Sequence, residues 1–190
     1  MISQSAVCLD RRVENPLAAE AGGVTTWTLP YPVAVNGSEG TVVVVRLDTE
    51  DVLVTTRPSP TTVAAVGSFS AFPVVVGLAQ TFTFTPSTIY YKGNDGQYDR
   101  RASVRLARLR AFMSGTKALD CSVAVKGRTT FTNQFRTNDP EEGQALVVPI
   151  FSENTRAVLT FSNSTPWPVR LGVLEWEGQV DPHTTPFVSQ

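Results

Sequence analysis

The side chains that carry most enzyme chemistry are scarce in this chain of 190 residues. It contains one histidine, His183, and two cysteines, Cys8 and Cys121, which lie far apart in the sequence. A histidine-based catalytic dyad or a zinc cluster would therefore need residues from another chain. Each cysteine lies in a strand-like segment, so we expect two buried thiols rather than a disulfide. We expect neither a cofactor nor a bound metal.

Charged residues and long apolar runs are also scarce. Charged residues make up 17% of the chain and the formal net charge is -1, so no global positive field would attract nucleic acid or an anionic membrane. No apolar run approaches the length of a membrane span. The first residues lack the basic start and apolar stretch of a secretory signal, which predicts synthesis in the cytoplasm.

The residues that are plentiful favour β-structure. Thr and Val are abundant, 13 Gly and 13 Pro divide the chain into short segments, and a hydrophobic content of 42% is enough for an ordinary core. We predict an all-β protein of two consecutive antiparallel β-sandwich domains. Residues 1–23 would form an extended amino-terminal arm, residues 24–86 the first sandwich, and residues 87–190 the second sandwich with a carboxy-terminal tail.

Two apolar patterns carry most of this prediction. The continuous run Val42 to Val45 is typical of a strand covered on both faces. Near the end of the chain, two alternating segments between Val158 and Gly178 flank an Asn163-Ser-Thr-Pro turn. We interpret these segments as a hairpin-like pair of strands half buried in the second sandwich.

The segment 102–113 allows two interpretations. Leu106, Leu109 and Met113 fall at helical spacing among good helix formers. As a strand, the segment places Val104 and Leu106 on one parity but Leu109 and Met113 on the other. A β-bulge near Leu106-Ala107 would restore a single apolar face, because one extra residue reverses the alternation. We favour the strand.

The only concentrated charge in the chain lies in and before this segment. Five arginines fall within eleven residues: Arg100, Arg101, Arg105, Arg108 and Arg110. They could contact phosphates, since their local potential would be useful despite the near-neutral chain. The alternative, which we favour, is that they line the wet face of a strand and pair with Asp95, Asp99 or carboxylates of a neighbouring subunit.

The carboxylates are sparse and mostly placed in turns, and two groups of them are typical of surface loops. Asp139, Glu141 and Glu142 surround Pro140, and a second group contains Asp48, Glu50 and Asp51. A glycosidase needs two carboxyl groups across a cleft, and the sequence does not place these groups opposite each other. The second group could bind calcium, but it lacks the glycine and terminal glutamate of an EF-hand loop.

The three tryptophans are Trp27, Trp167 and Trp176. Clustered on an exposed face, they could stack on sugars. Each has apolar neighbours in the sequence, so we favour packing in the structural core or in an interface.

Several short motifs occur in an order that resembles one known family. They include Leu9-Asp-Arg, Thr25-Thr-Trp-Thr-Leu-Pro-Tyr-Pro32, Ser87-Thr-Ile-Tyr-Tyr91, the basic strand Arg105 to Arg110, Val125-Lys-Gly-Arg128, Val148-Pro149, and the ending from Asn163 to Trp176-Glu-Gly178. Together they resemble the carboxy-terminal third of the tail nozzle proteins of short-tailed bacteriophages, also called tail tubular protein B.

This resemblance implies a non-enzymatic component of the virion tail. It also implies a six-fold ring below the portal and adaptor, with the adaptor, the remaining nozzle portion and fibres as partners, around a channel through which viral DNA passes transiently. Family members are several times longer and have an amino-terminal portion that helps to build a propeller-like tube. We therefore expect either a nozzle divided between two genes or a small tail component with only the distal sandwiches.

Two other classes share this composition. A capsid or decoration protein would differ in copy number and position, and a carbohydrate-binding adhesin module would bind glycans.

Overall fold

The computed structural model describes residues 7–92, 96–99 and 102–181. These residues form β-strands and no helix, which confirms the all-β prediction, and none of them belongs to a helix that could cross a membrane. The strands are β1 Leu9–Glu14, β2 Ala18–Ala21, β3 Val24–Thr28, β4 Val42–Arg46, β5 Val52–Leu53, β6 Thr55–Ser59, β7 Thr62–Val66, β8 Val74–Ala79, β9 Phe82–Phe84, β10 Tyr91–Lys92, β11 Tyr98–Asp99, β12 Ser103–Ser114, β13 Ala118–Val125, β14 Phe131–Arg136, β15 Glu142–Glu153, β16 Ala157–Asn163 and β17 Leu171–Asp181.

The chain divides into two compact units. The first comprises Met1–Thr81 with Ser164–Pro168, and the second comprises Phe82–Asn163 with Val169–Gln190. The division predicted after residue 86 lies close to the boundary at Thr81. The sequence pattern did not indicate that Ser164–Pro168 belongs to the first unit.

The first unit contains two four-stranded antiparallel sheets, in the orders β1-β8-β4-β5 and β2-β3-β7-β6. Trp27 of β3 is 1% exposed and packs in one cluster with Val44 and Val76 of the other sheet. Apolar side chains from both sheets therefore form a common core, as expected for a β-sandwich.

The two central strands of the first sheet, β4 and β8, are buried on both faces. Val44 and Val76 belong to the cluster around Trp27, whereas Val45 and Val75 pack with Val7 in a second cluster. All four valines are 0% exposed. The continuous valine run in β4 is thus explained, because alternate side chains are covered on opposite faces.

The predicted amino-terminal arm is wrong for the part of it that the structure describes. β1 pairs with β8, and β2 pairs with β3, so residues 9–21 contribute an edge strand to each sheet. Gly22 and Gly23 have φ angles of 60° and 73° and connect Ala21 to its partner Val24. This is the two-residue turn with positive φ that suits a β-hairpin. Small side chains formed a strand here because the backbone ladder, rather than apolar burial, holds an edge strand.

The second unit contains a three-stranded sheet, β15-β12-β17, and a four-stranded sheet, β14-β13-β16-β9, together with the short pair β10-β11. Its core contains Leu109 and Val148 from the three-stranded sheet and Leu119, Cys121 and Phe161 from the four-stranded one. The second unit is therefore also a sandwich of antiparallel sheets.

The segment 102–113 is a strand with the predicted bulge. Leu106 pairs with Gly178 and Arg108 with Glu177, so Ala107 is an extra residue relative to β17. The alternation reverses there: Val104 and Leu106 are buried before it, and Leu109, Ala111 and Met113 after it. The extra residue keeps one face of β12 apolar along its full length.

The predicted hairpin at the end of the chain is wrong. β16 lies in the four-stranded sheet and β17 in the three-stranded sheet of the second unit. Between them, Trp167 packs on the Val7, Val45 and Val75 cluster of the first unit, to which Ser164–Pro168 belongs. Pro166 and Pro168 flank this tryptophan, and proline is unsuited to a two-stranded ladder.

The two cysteines are free, but only one of them is buried. Cys121 lies in the core of the second unit, where burial raises the pKa of its thiol to about 12. Cys8 is exposed, contrary to the prediction of two buried thiols, because it lies just before edge strand β1.

Candidate assembly surface on the second unit

The predicted arginines of β12 share the outer face of the three-stranded sheet. Because Leu106 and Leu109 point to the core on either side of the bulge, Arg105, Arg108 and Arg110 point away from it. Arg100 and Arg101 lie outside the described residues, as do Asp95 and His183, and the side chain of Asp99 is likewise not described.

Two glutamates of β17 flank these arginines. Glu177 lies opposite Arg108, and its Oε2 atom accepts hydrogen bonds from Nε at 2.7 Å and from NH2 at 2.6 Å. Glu175 lies opposite Arg110 in the same register. Arg108 is therefore paired within its own chain. The sequence contained a signal for this partner, since residues 175 and 177 are two positions apart and therefore lie on the same face of a strand.

A pocket of about 580 Å³ lies where the bulge interrupts the sheet, and three exposed arginines line it. Arg105 comes from β12, Arg128 from the turn between β13 and β14, and Arg156 from the turn between β15 and β16. We call this site the arginine pocket. None of the three forms an ion pair with a carboxylate among the residues that the structure describes.

Backbone hydrogen bonds hold the two turns together at this end of the unit. The Lys126 amide donates to the Arg156 carbonyl at 3.0 Å, and the Arg156 amide donates to the Glu153 carbonyl at 3.0 Å. Asn154, which is buried, donates through its side-chain amide to the Ile89 carbonyl at 2.6 Å. The arginines are therefore carried on a fixed backbone, which lowers the entropy lost when a partner binds.

The pocket also contains a strained residue. Phe151 has a φ angle of 47°, an outlier for a bulky side chain, and its ring is 69% exposed. Between the pairs Leu106 with Ser152 and Arg108 with Pro149, β15 has two residues where β12 has one. The bulge in β15 thus directs an aromatic ring outward beside the arginines, a placement that bulges often provide at functional sites.

Glycine at position 178 permits the close approach of β17 to the bulge. A Cβ atom added there would lie 2.1 Å from the Arg105 carbonyl oxygen. No side chain fits at this distance. The glycine of the Trp-Glu-Gly ending is therefore required by the packing of backbone against backbone.

The two carboxylate groups belong to different units. Residues 139–142, which we call the acidic loop, lie between β14 and the start of β15 in the second unit, and Glu142 is the first residue of β15. In the first unit, Asp48 pairs with Arg46 at 2.5 Å, and this hydrogen bond is the main cause that lowers the pKa of Asp48. Within the described residues, no group of three or more metal-ligating side chains could hold a metal ion.

The three tryptophans have different environments. Trp27 lies in the core of the first unit, and Trp167 packs on its second cluster. Trp176 is 37% exposed, so its predicted place in the core is corrected. It pairs with Leu109, but β17 is an edge strand, and the indole lines an apolar groove of about 410 Å³ instead of being enclosed.

Two of the three pocket arginines were not among the site residues predicted from the sequence. Arg128 and Arg156 are isolated in the sequence and meet Arg105 only because two turns lie at the same end of the unit, the β13-β14 hairpin turn and the connection from β15 to β16 between the two sheets. The Lys126-Gly127-Arg128 turn, with a φ angle of 82° at Gly127, was a visible turn signal. Nothing in the local pattern placed it beside β12.

This architecture defines a β-sandwich protein in which the outer face of the three-stranded sheet is charged. A family profile described as "bacteriophage nozzle protein" matches residues 2–185, nearly the whole chain. The chain therefore belongs to the bacteriophage nozzle protein family, and it is a structural component of the phage tail nozzle. A search of curated proteins found no match. Family membership does not favour the capsid or adhesin alternatives.

Proposed function

We propose that copies of this chain assemble into a ring, six-fold by the family resemblance, which surrounds the channel through which viral DNA leaves the particle. The ring would contact the adaptor, the remaining nozzle portion and fibres. The observation that carries the proposal is the open outer face of the β15-β12-β17 sheet, which presents Arg105, Arg108 and Arg110 and adjoins the arginine pocket. Nozzle family membership supports a place in the tail.

The proposal assigns the arginines to contacts between subunits rather than to DNA. A channel through which DNA slides should not bind phosphates tightly, and a chain with a net charge of -1 provides little long-range attraction. Arg108 already has an ion-pair partner in its own chain. Arg105 and the two turn arginines have no carboxylate partner among the described residues, and we assign them to contacts with another subunit.

The proposal also treats the protein as non-enzymatic. The two carboxylate groups belong to different units, and Cys121 is kept protonated by burial. Turnover assays on polysaccharide, peptidoglycan and nucleic acid should show no activity. Activity that survives purification and disappears when one carboxylate is changed would contradict this part of the proposal.

The ring itself is tested by mass and position. Native mass spectrometry of the full chain should detect a closed oligomer, and quantitative mass spectrometry of purified virions should give six or twelve copies per particle. Labelling should place those copies in the tail. Tens or hundreds of copies on the capsid would replace the proposal with a decoration role.

A further inference from the structure

The acidic loop carries charge that its own unit does not neutralise. Asp139, Glu141 and Glu142 are exposed, and none forms an ion pair among the residues that the structure describes. The loop has a defined shape, because the Asp139 carbonyl accepts hydrogen bonds from Thr137 Oγ1 at 3.0 Å and Gln144 Nε2 at 3.1 Å. It therefore presents three carboxylates on a stiffened backbone.

The arginine pocket has the opposite charge. Arg105, Arg128 and Arg156 line it, and so do Glu153 and Glu177, of which Glu177 is already paired with Arg108. One carboxylate thus remains against three guanidinium groups. The pocket is cationic overall and complements the acidic loop.

The two surfaces lie at opposite ends of one sheet ladder. In the register of the β12-β15 ladder, Arg105 lies opposite Glu153 near one end, and Ser114 lies opposite Glu142 at the other. At about 3.3 Å per residue, the ends are roughly 30 Å apart. An acidic loop cannot reach the pocket of its own chain, so complementary contact requires a second copy.

We propose that the acidic loop of one copy docks in the arginine pocket of the next. The inference rests on the proposed self-association and specifies its contact. Loop and pocket are different surfaces, so the contact is heterologous, and repetition of such a contact closes into a ring when the rotation allows. Phe151, exposed beside the arginines, offers an apolar face to Pro140, the proline of the incoming loop.

Charge exchange tests the contact. Arg128→Glu with Arg156→Glu, and separately Glu141→Arg with Glu142→Arg, should each raise the protein concentration needed for assembly by roughly tenfold or more. All four substitutions on one chain should restore assembly. Arg12→Glu, at an exposed arginine of the first unit, is the matched control and should leave assembly unchanged. Circular dichroism checks that each variant is folded.

Crosslinking tests which surfaces meet. In a Cys8→Ser background, which removes the native exposed thiol, chains with Arg156→Cys and chains with Glu141→Cys are treated with a short bis-maleimide, separately and mixed. The proposed contact gives a crosslinked dimer only in the mixture. A dimer from either chain alone would indicate a symmetric contact and would overturn the inference.

The remaining outcomes separate this inference from the proposed ring. If wild-type rings form and neither charge exchange nor mixing has an effect, the contact is refuted and the ring stands. If the wild-type chain stays monomeric at all concentrations and the mixture does not crosslink, both are refuted. If the Arg128 and Arg156 variants assemble normally but their particles lose DNA, the pocket contacts DNA instead.

Discussion

The central strands of the two units differ in how many of their faces are buried. Strand β8 in the first unit has the sequence Val-Val-Val-Gly-Leu-Ala, and its residues from Val74 to Leu78 are all buried. Strand β12 in the second unit has only one buried face, and Arg105, Arg108 and Arg110 lie on its other face, which is open. Both faces of β8 are used for packing within the unit. The outer face of β12 is available for contacts with other molecules.

The two strands resemble each other in one respect, the way in which a neighbour approaches them. β1 has a bulge opposite Gly77 of β8, and Arg11 within that bulge has a φ angle of 48°. A Cβ atom at Gly77 would lie 2.8 Å from the Asp10 carbonyl oxygen. Gly178 has the same role beside the bulge of β12. Each unit thus combines a bulged strand with a glycine on the facing strand.

The largest expected effect on stability is the removal of a core tryptophan, compared with the removal of a tryptophan on an edge strand. Trp27→Ala should destabilise the protein by about 3 to 5 kcal/mol, as large-to-small core substitutions do. Trp176→Ala should cost only about 1 to 2 kcal/mol, because the indole is partly exposed and its removal opens no closed cavity. Urea denaturation followed by circular dichroism measures both. Equal losses would mean that the edge groove is closed in solution.

The next effect on stability is expected from substitution of a glycine in β17. Gly178→Ala should destabilise the protein by about 1 to 3 kcal/mol, because the new methyl group would meet the Arg105 carbonyl and force the backbone to shift. Gly172→Ala in the same strand is the matched control, since its nearest neighbour, the Phe112 carbonyl oxygen, lies 3.7 Å away. The same denaturation measurement applies. If the two variants are equally stable, β17 lies farther from the bulge than described.

The sequence predicted the local features of this comparison but not the long-range ones. Leu106 and Leu109 have opposite parity, so alternation alone located the bulge, and the valine run predicted a strand covered on both faces. Alternation says nothing about which strands pair. The separation of β16 from β17, and the meeting of Arg128 and Arg156 beside β12, depend on sheet order, which is set by tertiary packing. The pocket could not be assembled from sequence for this reason.

A smaller effect is expected for the ion pair on the open face of β12. Arg108 and Glu177 are 42% and 59% exposed at their side chains, so their ion pair should contribute only about 0.2 to 1 kcal/mol. A double-mutant cycle with Arg108→Ala and Glu177→Ala should give a coupling energy in this range, and the coupling should weaken in high salt. A coupling energy above about 2 kcal/mol would show that Arg108 and Glu177 are less accessible to solvent than their exposed fractions indicate.

The smallest effect is a pH dependence in the first unit. Hydrogen bonds from the Ser68 hydroxyl, and secondarily from Ser70 at 2.8 Å, lower the pKa of Glu20 below its usual value, and slight desolvation opposes them. A carboxyl group with a lowered folded-state pKa stabilises the protein fully above its unfolded pKa of about 4.3, and this stabilisation is lost as the pH falls through the folded-state value. The difference in unfolding midpoint between wild type and Glu20→Gln should therefore be larger at pH 7 than at pH 3, and Ser70→Ala should reduce the pH-dependent part. A difference that is the same at both pH values would show that the serines do not bind the charged form of Glu20 preferentially.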